Sequence, residues 1–256
     1  MGGVLEGTVA LVTGAGGGIG SATVKAMMDA GAEVIATDLQ APAGGTLSLA
    51  HDVTDQAQWQ QVADTIRDRW GRLDVLVNNA GTVKIASIEQ TTIEDWRRMM
   101  AVNAEAILLG HQAMLPLLRE AGKNREGGAS IVNISSVSGL VGNAFAAAYG
   151  ASKAAVRLFS KAAALEFAAL GYNIRVNSVH PGGVETDMSE LICQTFVDMG
   201  MAPDMAAARA DSARLQPIGR TGKPSEIANA VVFLSSTAAS FITGSEMAVD
   251  GGWTAG

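Results

Sequence analysis

The sequence predicts a doubly wound α/β fold: one domain on a seven-stranded parallel sheet with helices on both faces. Three observations predict it. Short apolar, β-branched runs alternate along the chain with longer segments of helical period, the pattern of a parallel sheet covered by helices. Glycine is abundant, 30 of 256 residues, against an average of roughly 7%, and it clusters at turns without a three-residue period. No repeat or linker divides the chain, and a composition 48% hydrophobic and 17% charged suits one large core and excludes disorder.

The elements follow in order. Val9–Thr13 is a first strand, running through a glycine-rich turn into a helix at Gly18–Ala30. Strand Glu33–Thr37 comes next, then a short stretch with Pro42, Gly44 and Gly45 that has room for a loop or single turn, then strand Leu47–Ala50. Helix Gln56–Trp70 and strand Leu73–Val77 lead to a long helix at Ile93–Ala121. Arg119–Gly128 is polar and reads as an exposed loop at the far end from any chemistry, with no assigned role. Strand Ser130–Ile134, helix Tyr149–Ala169 and strand Ile174–Val179 follow. Met188–Leu215 has helical character after a Pro-Gly turn, and helix Ser225–Ser236 and strand Glu246–Val249 complete the series. In such a fold ligands bind at the carboxyl ends of the strands, near the switch in strand order.

Composition narrows the partners. A net charge of −7 repels nucleic acid and anionic membrane, so neither is expected. A single cysteine, Cys193, excludes a disulfide-stapled fold and has no evident activating partner. No apolar run approaches the roughly 18 residues that span a bilayer, and Met1–Glu6 lacks the regions of a signal peptide. A cytoplasmic protein is expected. His51, His111 and His180 show no metal-ligand spacing, so no metal is expected.

Three features point to chemistry. The first is Thr13-Gly14-Ala15-Gly16-Gly17-Gly18-Ile19-Gly20. Glycines let a turn be tight and let backbone approach a pyrophosphate, and the helix that follows offers free N–H groups and a positive dipole end. A glycine cluster alone is often only a flexible turn; here a strand precedes it, and a helix and second strand follow. A P-loop is excluded because no Gly-Lys-Ser/Thr follows. The second feature is Asp38, eighteen residues past Gly20 at the end of the second strand. An acid there accepts hydrogen bonds from the adenosine ribose and repels a 2′-phosphate. No Arg or Lys stands at Ala15, Gly16, Gly17 or Leu39, so NAD is preferred to NADP. The third is Ser136 with Tyr149 and Lys153. The last two, spaced i,i+4, share a helix face. An ammonium near a phenol stabilises the phenolate and moves its pKa toward neutrality. An i,i+4 Tyr/Lys pair is usually a solvated surface, but Lys153 is the first charged residue after Glu126.

Together with Asn-Asn-Ala-Gly at 78–81, Pro-Gly at 181–182 and Asp-Gly-Gly at 250–252, these motifs, in order over essentially the whole chain, resemble the short-chain dehydrogenase/reductases. Within that family the likeness is to NAD-preferring secondary-alcohol and hydroxysteroid dehydrogenases on a Rossmann fold. The resemblance implies that Tyr149 is the general acid/base, that Lys153 lowers its pKa and holds the nicotinamide ribose, and that Ser136 orients the carbonyl or alcohol. It implies that Asn103 retains a water in the proton relay. Ser135 fits the spacing less well than Ser136. Gly14, Gly18, Ile19 and Gly20 correspond to the pyrophosphate turn, and Asp52 and Val53 to the border of the adenine. Asn79, Ala80 and Gly81 correspond to the strand end beneath the cofactor, and Pro181, Gly182, Val184 and Thr186 to contacts at the carboxamide end, with Tyr149 and Lys153 also on the cofactor. The family usually has a helix between Asp38 and Asp52, which here has no room. A homotetramer is implied, assembled through the long helix and its neighbour.

The resemblance also makes 187–215 a substrate lid. It carries Met188, Leu191, Ile192, Phe196, Val197, Met199, Met201 and Met205, and methionines adapt to irregular apolar shapes, though most of these side chains better suit a helix's packing face. The loop Val137–Ala148 has no charge, and Asn143 and Phe145 are its distinctive side chains, expected beside the substrate with Ser136 and Tyr149. An anionic substrate would meet Arg or Lys, for which Arg209 and Arg214 are the candidates. The expected substrate is a neutral, fairly apolar secondary alcohol or ketone, alicyclic or steroid-like. A 3-oxoacyl-carrier-protein reductase is the alternative enzyme, disfavoured by Asp38 and the acidic balance. A non-catalytic NAD-binding regulator is the alternative of another class, disfavoured by the intact Asn103, Ser136, Tyr149 and Lys153 set.

Overall fold

The structure, a computed structural model, describes residues 3–256. Seven strands form one parallel sheet: β1 (Val9–Thr13), β2 (Glu33–Asp38), β3 (Leu47–Ala50), β4 (Val75–Asn78), β5 (Ala129–Ile134), β6 (Ile174–Pro181) and β7 (Glu246–Val249). Their spatial order is β3-β2-β1-β4-β5-β6-β7, so the chain reverses direction across the sheet between β1 and β4. Eight helices connect them: α1 (Gly18–Asp29), α2 (Gln56–Trp70), α3 (Ile93–Met100), α4 (Ala106–Asn124), α5 (Ala147–Ala169), α6 (Asp187–Asp198), α7 (Met205–Arg214) and α8 (Pro224–Ser235).

Strand residues alternate between two cores, as the period of two requires. Leu11, Ile35, Leu76, Ile131 and Val176 face Trp59 of α2, Met114 of α4 and Phe167 of α5. Val12, Val34, Val77 and Val132 face Met27 of α1 and Val231 of α8. With both faces covered, the central strands read as continuous apolar runs. Local signals agree with these elements. Asp55 caps α2 by accepting from Ala57 N and Gln58 N, and Gly71 ends it with φ +70°. Pro224 opens α8, where the Glu226 carboxylate accepts from Lys223 N at 2.7 Å.

Two expectations are corrected. Ile93–Ala121 is not one helix: a π-turn at Ala101–Glu105 separates α3 from α4. Nor is Arg119–Gly128 a loop without a role. Helix α4 continues to Asn124, because Arg, Glu, Ala and Lys are good helix formers whatever their polarity. The following Arg125 donates to Asp74 O at 2.9 Å and to Ser235 O at 2.7 Å. Met188–Leu215 resolves into α6 and α7 with a short turn between. Among the described residues, no helix is long and apolar enough to cross a membrane, and no group of His, Cys, Asp or Glu is placed to hold a metal.

Candidate active site

A cleft of about 930 Å³ opens at the carboxyl ends of the central strands, where the strand order reverses. One half is a glycine turn between β1 and α1. Gly14 has φ +62°, and a Cβ there would lie 2.7 Å from Ala80 Cα. A Cβ on Gly20 would lie 2.0 Å from Gly14 O, so both positions admit only glycine. Asn79 Nδ2 donates to Thr13 O and Gly14 O at 2.9 Å each, locking the turn onto the end of β4. Gly17, at the start of α1, supplies no side-chain cap, and the first turn carries no acid. Its N–H groups therefore remain available to an anion. A dinucleotide pyrophosphate fits this cradle.

At the end of β2 the Asp38 carboxylate accepts from Gly16 N at 2.8 Å and Leu39 N at 2.7 Å. Among the described residues, Arg98 and Lys153 are the only Lys or Arg on the cleft wall, and neither belongs to β2 or the glycine turn. On the opposite side Thr186 caps α6 and stands so that a Cβ on Gly18 would be 3.0 Å from its Cγ2.

The other half is built by β5 and α5. Ser136, in extended backbone just past β5, starts a 3₁₀ turn, with its Oγ accepting from Ser138 N at 3.1 Å. Neighbouring Ser135 is buried, and its Oγ donates to Lys153 O at 2.8 Å, clamping α5 to the strand end. Lys153, only 4% exposed, donates from Nζ to Ile134 O at 2.9 Å and lies 5.9 Å from the centre of the Tyr149 ring. Burial draws its pKa down to about 8. The Tyr149 phenol is shifted above its ordinary value by burial, with the Ser136 hydroxyl pulling it back.

Apart from Gly20, Asn103 and Phe145, every expected site residue lies on the cleft wall. Gly20 is packed beneath the turn. Asn103 sits one layer back, in the π-turn: its Oδ1 accepts from Thr82 N at 2.8 Å, and its Nδ2 donates to Thr82 O and Ser152 Oγ at 2.9 Å each. Both ends of the amide are thus spent on protein. Phe145, with an uncommon φ of +64°, turns its ring edge-on to Phe196 at 6.5 Å, leaving Asn143, Ala144 and Ala146 on the wall.

From the 187–215 segment Met188, Ile192, Phe196 and Met201 reach the cleft, whereas Val197 and Met205 pack around Cys193, whose thiol burial pushes up. Arg209 pairs with Glu190 and Arg214 with Asp211; neither arginine lines the cleft, although Asp211 does. Wall residues missed by sequence reading include Arg98, Ser212 and Trp253. They arrive from α3, α7 and the tail after β7 by tertiary packing, which leaves no local signal.

A fixed cradle for a dinucleotide beside a Ser–Tyr–Lys cluster defines a nicotinamide-dependent oxidoreductase, and the chain belongs to the short-chain dehydrogenase/reductase family. A family model described as enoyl-(acyl carrier protein) reductase matches residues 14–254. Among the relatives, a cyclopentanol dehydrogenase of Comamonas sp. is 42% identical over 96% of this chain and 97% of its own. An NADP-dependent (R)-specific alcohol dehydrogenase of Lentilactobacillus kefiri is 37% identical over 98% of both chains. The ligand-free aldohexose dehydrogenase of Thermoplasma acidophilum superposes with a TM-score of 0.89 at 33% identity, covering 100% of this chain and 97% of that one.

Proposed function

We propose that the protein is an NAD-preferring dehydrogenase that interconverts a neutral, fairly apolar secondary alcohol, alicyclic or steroid-like, with its ketone. The observation that carries this reading is the placement of Ser136, Tyr149 and Lys153 on one wall of the cleft that holds the glycine cradle. The apolar lid side chains and the uncharged stretch Asn143–Ala146 support an apolar substrate, and the named activities of the relatives from Comamonas and L. kefiri support an alcohol. The L. kefiri relative is named for NADP. Asp38 supports NAD here, because a 2′-phosphate would meet its carboxylate with no cation on β2 or the glycine turn.

In the reduction direction Tyr149 donates its phenolic proton to the ketone oxygen as charge develops there, while Ser136 Oγ–H donates to the same oxygen and fixes it. In oxidation Tyr149 takes the proton back, and Lys153 compensates the phenolate. A bound nicotinamide supplies or accepts the hydride. Asn103 holds Thr82 and Ser152 in place and thereby α5 against the π-turn. Helices 187–215 form the substrate lid. Exposed Leu108 of α4 and Leu158 and Leu165 of α5 support the expected homotetramer, and a cytoplasmic location and a partner list without nucleic acid or membrane complete the reading.

The test is titration of NADH and NADPH by fluorescence, with turnover of cyclopentanol, a steroid alcohol and an acyl thioester. NADH should bind more tightly, and cyclic alcohols should be oxidised faster as pH rises above 7, because the raised phenol must lose its proton. Tyr149→Phe should lower kcat by about 10³-fold with NADH binding kept. Preference for NADPH, turnover of the thioester alone, or a Tyr149→Phe loss under about tenfold would overturn the corresponding part.

A further inference from the structure

His180 is fully buried at the end of β6, between the two strand ends that flank the reacting centre. Its ring reaches sideways to β5. Nδ1 lies 3.1 Å from Ser136 O, and Nε2 lies 2.9 Å from Ser178 Oγ. A carbonyl oxygen only accepts, so Nδ1 carries the proton. Nε2 is then a bare acceptor for the Ser178 hydroxyl, whose other acceptor, Ser245 O, is farther at 3.5 Å. A neutral imidazole in this one tautomer satisfies both contacts, and burial keeps its pKa below the ordinary histidine value.

The place of this bond matters. Ser135 N makes the ladder bond from this end of β5, to Val179 O at 2.8 Å. At Ser136 the backbone leaves the sheet, and its carbonyl accepts from only two groups, Gly139 N at 2.9 Å and the His180 ring. The first belongs to the same 3₁₀ turn and moves with it. The ring alone ties Ser136 to a neighbouring strand, and His180 is joined directly to Pro181-Gly182 on the cleft wall.

We infer that His180 is a positioning residue: through Nδ1–H and the Ser136 carbonyl it holds the Ser136 hydroxyl at the distance from Tyr149 that the reaction requires. This rests on the dehydrogenase reading above. Freed of the bond, the turn pivots about Ser136, and a displacement of the order of 1 Å at a reacting group costs about a hundredfold in rate.

Two measurements test it. Long-range ¹H–¹⁵N spectra of the full chain, with His180 identified by loss of its signals in a variant, should show neutral Nδ1–H from pH 6 to 8. An Nε2–H tautomer or an imidazolium overturns the proposal, whatever the protein turns over. The second uses His180→Asn, whose Nδ2 occupies the place of Nδ1, and His180→Gln, whose amide falls near Nε2. With NADH affinity kept within about twofold, kcat on a cyclic alcohol should fall about tenfold to a hundredfold in the Gln variant and only about threefold in the Asn variant. A role in packing alone predicts the reverse, since Asn leaves the larger void. Equal losses, or a better Gln variant, overturn the proposal. If the wild type oxidises no alcohol, the proposed function fails. The ¹³C shift of the Ser136 carbonyl, displaced in the Gln variant and kept in the Asn variant, then still decides the positioning.

Discussion

A buried imidazole has two nitrogens to satisfy, and the surroundings decide which proton state survives. His180 satisfies both in its neutral form. His111 satisfies one: Nδ1 lies 2.8 Å from Ile107 O, while Nε2 is buried without a partner, with the ring edge-on to Phe159 at 4.9 Å. Burial lowers its pKa to about 4. An unfolded histidine takes a proton near pH 6.5, so between that value and 4 the unfolded chain binds more protons than the folded one. The stabilising contribution is therefore whole above about pH 6.5 and is lost as pH falls toward 4. Between pH 7.5 and 5 this amounts to about 2 kcal/mol. Urea unfolding at one protein concentration should show His111→Leu losing less stability than wild type over that interval, by about this amount. Parallel losses would show that His111 is charged when folded. Residue identity was legible wherever a motif spaced along the chain fixed it, as for Asp38 or Tyr149. Proton state was not, because it depends on which strand end or ring lies opposite, and that is decided by packing.

Elements were legible in proportion to how local their causes are. All seven strands and the glycine turn follow from runs, periods and caps within a few residues. The break at Ala101–Glu105 does not, because the chain keeps good helix formers through it with no Gly or Pro. It coincides with bonds between Asn103 and Thr82, 21 residues away. The far end of the sheet shows the same dependence. Helix α8 ends in carbonyls that find their partners in two arginines. Arg175, at the start of β6, donates to Leu234 O at 2.9 Å, Ser236 O at 3.3 Å and Gly127 O at 2.9 Å, and Arg125 takes Ser235 O. Two cations at a helix carboxyl end also complement its dipole. Burial and the neighbouring Arg125 draw the Arg175 pKa to about 10. Arg175→Met removes this donor from four carbonyls, the fourth being Ile242 O at 3.4 Å. Leu234 O keeps Ser130 Oγ and Ile242 O keeps Asn177 Nδ2, and the loss should cost about 3 kcal/mol, read from denaturant unfolding. The NADH dissociation constant should not change, since the cleft lies at the opposite end of β6. A loss below about 1 kcal/mol would mean that water replaces the guanidinium.

At the scale of the whole molecule, the outer faces of α4 and α5 carry more apolar surface than a monomer needs. Leu158 is 69% exposed and Leu165 is 74% exposed. They lie seven residues apart on α5 and so share one face. Leu108 of α4 is exposed as well. Near the start of α5, Ile88, Ile93 and Trp96 line a shallow groove with Ala147 and Ala148. Scattered single leucines are ordinary, but apolar faces on adjoining helices mark association surfaces. Burial at about 25 cal/mol per Å² favours covering them with a second copy, and closed symmetry makes such a contact self-complementary. On the homotetramer proposed above, light scattering should find four copies of the 26.2 kDa chain at micromolar concentration. Leu158→Asp with Leu165→Asp places a charge on the face in every copy and should reduce the mass to dimers or monomers. Tyr149 and Lys153 lie on the same helix, so NADH binding in the dissociated variant shows whether assembly also holds the cleft in shape. A wild type that runs as a single copy, or a double variant with unchanged mass, would place the contact elsewhere or remove it.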